Sequence, residues 1–265
     1  KFKLKKLTAN YKSLDDTISN DKCIVGLLTQ HQESLEYFES DNDKMNEEVF
    51  EKIFTTLKLK ELVLNPESLP KTYLFYSSIR KNVYMKEIIL ADEIKSYSSI
   101  QGLLHLCKDI EHFEISESDS EITRQILINI ANNLKHLYIL GIHNIPDKLP
   151  ELKIVSLKQL SIDKVDNVQA FQAFVIQQRN LEELSIYTKL NVNELGLPYV
   201  TSHLHNLDEL NFDSNVYLDE ALAKEIKRSC PTLQKINFQW KEELNDNEPI
   251  YVKGMRVSYF KYCKH

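Results

Sequence analysis

The chain is poor in glycine and proline, with 5 and 7 in 265 residues. That scarcity excludes a collagenous or low-complexity protein and leaves little material for glycine-rich phosphate loops. No apolar run approaches the ~20 residues that a bilayer-spanning helix needs. The Lys-rich opening, Lys1 to Lys6, lacks the apolar stretch of a secretory signal. Cysteine is also sparse: Cys23, Cys107, Cys230 and Cys263 lie far apart, and no Asn-x-Ser/Thr sequon occurs. Both features point to a reducing compartment, cytoplasmic or nuclear. Basic charge is in deficit, with 33 Lys and Arg against 39 Asp and Glu and a net charge of -6, so no nucleic-acid backbone and no membrane is expected as a partner. Gly-x-Ser-x-Gly, Cys-x-x-Cys, His-Glu-x-x-His and P-loop signatures are all missing. Catalysis and a bound cofactor are therefore not expected. Cys107 and Cys230, just ahead of apolar segments, read as core residues.

What the chain has in abundance is a repeat. Apolar residues at the first, fourth and sixth positions recur in motifs starting at Leu35, Leu59, Met85, Ile110, Leu134, Leu157, Leu181, Leu207 and Leu233, each 23 to 26 residues after the last. Leu59-Lys-Glu-Leu62-Val-Leu64 and Leu181-Glu-Glu-Leu184-Ser-Ile186 are clear copies, and Leu4-Lys-Lys-Leu7-Thr-Ala9 is a degenerate one. The last four positions of each motif alternate as a short strand does. Between motifs the period changes to three and four, as in Asn46 to Thr56, Glu121 to Asn132, Asn167 to Gln178 and Asp219 to Ser229, the mark of one buried helical face. A single strand-turn-helix unit cannot cover its own apolar face, so the units must stack. The expected fold is an α/β solenoid of about ten repeats over residues 1–240: a curved horseshoe with a parallel sheet on its concave face and helices on its convex face. Residues 241–265 are expected as a C-terminal cap or tail, in which Ile250 to Tyr262 lays an aromatic strand over the last repeat.

The stretch Ala221-Leu-Ala-Lys-Glu-Ile-Lys-Arg-Ser-Cys230-Pro231-Thr-Leu233-Gln-Lys-Ile236-Asn-Phe238 resembles the cysteine-containing leucine-rich repeat of F-box proteins, in which a helix ends at Cys-Pro and feeds the next strand. Leu27-Leu28-Thr-Gln-His31-Gln-Glu-Ser-Leu35-Glu-Tyr-Phe38 resembles the opening repeat of insect members of that family. The likeness covers residues 1 to 240. It implies the substrate-recognition region of a receptor for a cullin-type ubiquitin ligase. The family's F-box, which binds the ligase adaptor, is not among these residues. The Asn or Cys usual at the ninth repeat position is replaced by Glu67, Glu93, Ser118, Ile142 and Val165. The alternative is a stand-alone, secreted leucine-rich-repeat protein that sequesters a protein partner without ubiquitylation.

Positions three, five and seven of each motif are expected on the concave face, free of core duty. There Val63, Ile89, Tyr138, Leu140 and Tyr187 form an apolar and aromatic patch, the composition of a partner site. Around it lie Glu61, Glu87, Glu114, Glu183, Glu209, Asp163 and Asp213. The complementary partner is a protein substrate or ligand with a basic or amide-rich segment. His112 and His136 are expected side by side on adjacent strands, as a hydrogen-bonding or pH-sensitive pair rather than a metal site.

Overall fold

The computed structural model describes residues 3–9, 17–41, 45–55, 57–70, 84–149, 151–188, 190–213, 220–240, 251–252 and 255–261. The chain divides into two compact units, Lys1–Leu137 and Tyr138–His265.

The first unit contains β1 (Lys6–Thr8), α1 (Thr17–Gln30), β2 (Tyr37–Ser40), α2 (Glu47–Thr55), β3 (Glu61–Leu64), a 3-10 turn (Pro66–Ser68), β4 (Glu87–Ile94), α3 (Tyr97–Leu106), β5 (His112–Ser118) and α4 (Ser120–Asn133). Its strands lie in chain order, β1 to β5, and every pairing is parallel. The second contains β6 (Ile139–Asn144), β7 (Gln159–Lys164), α5 (Val168–Val175), β8 (Glu183–Tyr187), α6 (Leu197–Thr201), β9 (Glu209–Asp213), α7 (Glu220–Ser229), β10 (Lys235–Trp240), β11 (Tyr251–Val252) and β12 (Met255–Lys261). Its pairings are parallel from β6 through β10 to β12, and β11 joins β12 as an antiparallel hairpin. The segment expected as a cap or tail thus adds a parallel strand beside β10.

The repeat explains this architecture. In the first unit the strand registers align Phe38, Leu62, Ile88 and Phe113, all fully buried. In the second they align Leu140, Leu160, Leu184, Leu210 and Ile236 in the same way. Each such side chain contributes about 1.5–3 kcal/mol by leaving water. The helices meet these rows with faces spaced three and four apart, as in Val49, Phe50, Ile53 and Phe54 of α2 or Ile126, Leu127 and Ile130 of α4. Asn46 accepts from the Val49 N–H at 3.0 Å, Asp119 from Glu121 at 2.7 Å and Asn167 from Ala170 at 3.1 Å, so three helices begin where a side chain satisfies an orphan donor. The sheet face away from the helices is left open to positions three and five.

One repeat is displaced from its expected frame. Gln159 pairs with Ile139 and Leu160 with Leu140, so the strand motif here is Leu137-Tyr138-Ile139-Leu140-Gly141-Ile142, three residues later than the motif starting at Leu134. The backbone carries an independent mark. In neighbouring rungs the second-position carbonyl accepts two N–H groups from the following strand, as Lys60 does from Lys86 and Glu87, and Tyr138 does so from Lys158 and Gln159. Leu134 instead ends α4, bonded to the Ile130 carbonyl and buried. Its burial against the core imitates a first-position residue.

The displacement shortens the next link, and among its described residues, 145–149 and 151–158, there is no helix. Pro146 lacks the N–H that a helix interior there would need. Gln178, 1% exposed, replaces the missing helical hydrogen bonds. Its Oε1 accepts from the Ile154 N–H at 2.9 Å, and its Nε2 donates to the carbonyls of Leu152 and Phe174 at 2.8 and 3.0 Å.

Candidate functional site

The open face of the first unit places Lys6, Tyr37, Glu61, Glu87 and His112 in one lateral row. Thr8, Glu39, Val63, Ile89 and Glu114 form the next. Lateral neighbours sit about 4.8 Å apart, so side chains along a row touch. Lys6 Nζ lies 3.7 Å from the centre of the Tyr37 ring, a cation held on an aromatic face. The Tyr37 and Thr8 hydroxyls donate to one Glu39 oxygen at 2.7 and 3.0 Å. The Tyr37 hydroxyl bond holds the Glu39 carboxyl below its ordinary range against the opposing effect of burial, while burial and Glu39 push the Tyr37 hydroxyl up. Val63 and Ile89 are half-buried in the middle of the face.

His112 lies between two carboxylates. Its Nδ1 is 2.8 Å from Glu87 Oε1 and its Nε2 is 2.6 Å from Glu114 Oε1. Burial disfavours the imidazolium, but the hydrogen bond and charge of Glu114, together with those of Glu87, outweigh it and raise the ring's proton affinity. Glu61 stands beside Glu87 in the same row; burial and the Glu87 charge raise its carboxyl above the usual range. Among the described residues Glu61 makes no ion pair and no side-chain hydrogen bond.

The second unit's face has a different character. Its rows read Ile139, Gln159, Glu183, Glu209, Lys235 and Gly141, Ser161, Ser185, Asn211, Asn237. Asn211 Nδ2 donates to Glu183 at 2.8 Å and to Ser185 Oγ at 3.1 Å. Asn237 Nδ2 donates to Glu209 and to Asn211 Oδ1, both at 2.7 Å, and Lys235 pairs with Glu209 at 3.1 Å. Burial and the Glu209 charge raise the Glu183 carboxyl, opposed by the bonds from Ser185 and Asn211. Farther along the strands, Tyr187 pairs with Asp213, with Tyr187 exposed; the Asp213 side chain lies outside the described residues.

The three-residue displacement corrects part of the expected site. Leu140 is fully buried in the core row and takes no part in the open face. Tyr138 is exposed, but at the second position, where its carbonyl receives the next strand, and not at the fifth. His136 precedes β6 in an exposed bend, so it is not paired with His112 along adjacent strands. In their place the displacement brings Ile139 and Gly141 into the rows, and puts His143 3.8 Å from Asp163. Pro146 and Pro150, which as residue types disfavour a helix interior, were the sequence signal for this frame. Val63, Ile89, Glu61, Glu87, Glu114, Glu183 and Glu209 stand in the rows expected of them.

The edge of the strands adds a row of opposite charges at position two. Glu36 meets Lys60 at 3.0 Å and Lys5 at 4.0 Å, Lys86 meets Glu111 at 2.7 Å, and Lys158 meets Glu182. Cys107 and Cys230 are buried, and the Cys230 thiol points at the Leu204 carbonyl at 3.4 Å; Cys23 is exposed and Cys263 lies outside the described residues. Among the described residues no group of three or more His, Cys, Asp or Glu is placed to hold a metal ion, and no helix is long and apolar enough to cross a membrane. No family model matches the chain, and a search of curated proteins finds no significant match.

Proposed function

We propose that this protein is a leucine-rich-repeat module that binds another protein through the open face of its parallel strands. Its setting, on the resemblance of the Ala221–Phe238 and Leu27–Phe38 stretches, is the substrate-recognition region of an F-box-type ubiquitin-ligase receptor. One observation carries the binding reading. In the first unit, Val63 and Ile89 sit half-buried on the face opposite the helices, where polar residues would serve the fold equally well, and four glutamates, Glu39, Glu61, Glu87 and Glu114, surround them. Apolar groups flanked by carboxylates suit a protein segment that carries both alkyl and basic or amide groups.

The test is capture followed by measurement. A protein captured by the chain is purified and titrated against the wild type and a Val63→Ser/Ile89→Ser double variant. A loss of about tenfold or more, equivalent to about 1.4 kcal/mol, with the folded state retained by circular dichroism, is the expected result. Equal affinity overturns the assignment of the face. The ligase setting is tested separately by the lifetime of the captured protein in cells: depletion of this chain should prolong it, and an unchanged lifetime removes ubiquitylation while leaving the binding intact.

A further inference from the structure

His112 and the carboxylates around it carry one step beyond this reading, and rest on it. We propose that binding at the first unit's face is proton-coupled: an arginine or lysine side chain of the partner takes over the carboxylate that His112 holds, and the imidazole leaves as the neutral base.

The geometry sets the protonation state. A neutral imidazole has one N–H and one lone pair, whereas each His112 nitrogen faces a carboxylate oxygen within 2.8 Å. Only the imidazolium can donate to both, because the lone pair of the neutral ring would oppose a negative oxygen. His112 is thus an internal cation seated on the face where an external one is expected. Among the described residues, the other charged and titratable groups in these two rows are Glu61 on β3, Tyr37 and Glu39 on β2, and Lys6 on β1. Lys6 is occupied by the Tyr37 ring, and Glu39 by the hydroxyls of Tyr37 and Thr8. That leaves Glu61 with only the more distant charges of Lys6 and His112 and no bonded cation, and Glu87 with a bonded one that can be displaced.

An incoming alkyl chain laid over Val63 and Ile89 brings its charged end to Glu61 and Glu87, which are paired across β3 and β4. Engaging Glu87 withdraws one of the two groups that keep His112 charged. It also sets a second cation about one strand spacing from the ring. Both effects favour release of the His112 proton. By linkage, a ligand that expels a proton binds more tightly as the pH rises through the range in which that proton is held. The raised proton affinity of His112 puts that range above the ordinary one for histidine.

The probe is a C-terminally amidated nona-arginine peptide labelled at its N-terminus with tetramethylrhodamine, whose own charge does not change over the range used, titrated at fixed ionic strength between pH 6.5 and 8.5. The wild type should bind about fivefold tighter at the upper limit, in line with a partial shift of one proton equilibrium. His112→Gln should bind at pH 6.5 as the wild type does at pH 8.5, with less than a twofold change across the range. Glutamine occupies the same rung position at 159, so the strand accommodates it. A second readout does not depend on that variant: the His112 ring, followed by NMR, should lose its proton at lower pH when the peptide is bound. An unchanged ring titration, the same pH profile in both proteins, or no binding of the peptide by the wild type overturns the coupling. None of these outcomes touches the Val63 and Ile89 test, so the two readings fail separately.

Discussion

The two units share one rung design and hold their open-face glutamates in different ways. In the second unit, Glu183 and Glu209 are bound by Asn211 and Asn237, and Lys235 completes the set. Amides do not titrate and Lys235 stays charged at neutral pH, so this network is closed and indifferent to neutral pH. In the first unit, Glu87 and Glu114 depend on His112, the one side-chain type whose ordinary charge change falls near neutrality, and Glu61 is left over. A carboxylate satisfied by a fixed neighbour supports the sheet. One satisfied by a removable proton can exchange that neighbour for a ligand.

The largest expected effect breaks the comparison on the other side of the sheet. The links β2 to β3 and β4 to β5 of the first unit carry helices, α2 and α3, while the first link of the second unit relies on Gln178. Gln178→Leu removes three hydrogen bonds and leaves the Ile154 N–H and the Leu152 carbonyl without partners in a buried site. The cost should be about 2–4 kcal/mol by denaturant titration. His112→Gln, at a half-buried position that solvent still reaches, should cost less. If Gln178→Leu unfolds at the wild-type midpoint, the helix-free link is held by its apolar residues Ile145, Leu152 and Ile154 alone.

That link is also where the sequence was hardest to read. The strand rows follow from a recurring spacing of apolar residues, and Val63, Ile89 and the glutamates fall in register because their motifs are unambiguous. Around residue 137 two frames compete. Leu134, Leu137 and Ile139 satisfy the one-four-six pattern as well as Leu137, Leu140 and Ile142 do, because a residue that closes a helix is buried for the same reason as one that opens a strand. Even spacing of the repeats favours the wrong frame. The two prolines favour the right one, and the local rule on helix interiors outweighs the periodic one. The clamp on His112 was legible only as adjacency to Glu87: the bond to Glu114, two residues along the same strand, is a matter of rotamer and not of register.

A smaller effect sharpens the comparison of the faces. Each unit has one open-face carboxyl raised by burial and a like-charged neighbour, Glu61 and Glu183. A raised carboxyl keeps its proton longer in the folded state, so both groups withdraw stability as the pH climbs through the carboxylate range. His112 adds a second step to the first unit. Its proton is held more tightly folded than unfolded, so its contribution is fully present below the ordinary histidine value and is lost as the pH rises through the raised one. Amide hydrogen exchange, corrected for intrinsic rates and compared between pH 6 and 9, should show protection falling in β4 and β5 and not in β8 and β9. Equal loss in both would mean that the His112 clamp does not stabilise its strands.

The smallest effect belongs to the row of opposite charges at position two, which the units share. Glu36 is held below its ordinary carboxyl range by the bond and charge of Lys60, then by the charge of Lys5, and its side chain is partly exposed at the strand edge. Three long side chains that lose rotamer freedom in water gain little from pairing, and physiological salt screens what they gain. Glu36→Gln should leave the thermal midpoint within experimental error at 0.15 M salt, and produce at most a small drop in low salt. A clear loss at physiological salt would mean that this row, and not only the buried leucines, keeps the first unit's strands in register. The pairings of Lys158 with Glu182 and of Lys86 with Glu111 would then be the next to remove, one in each unit, since unequal losses would locate the difference between the units in their edges as well as their faces.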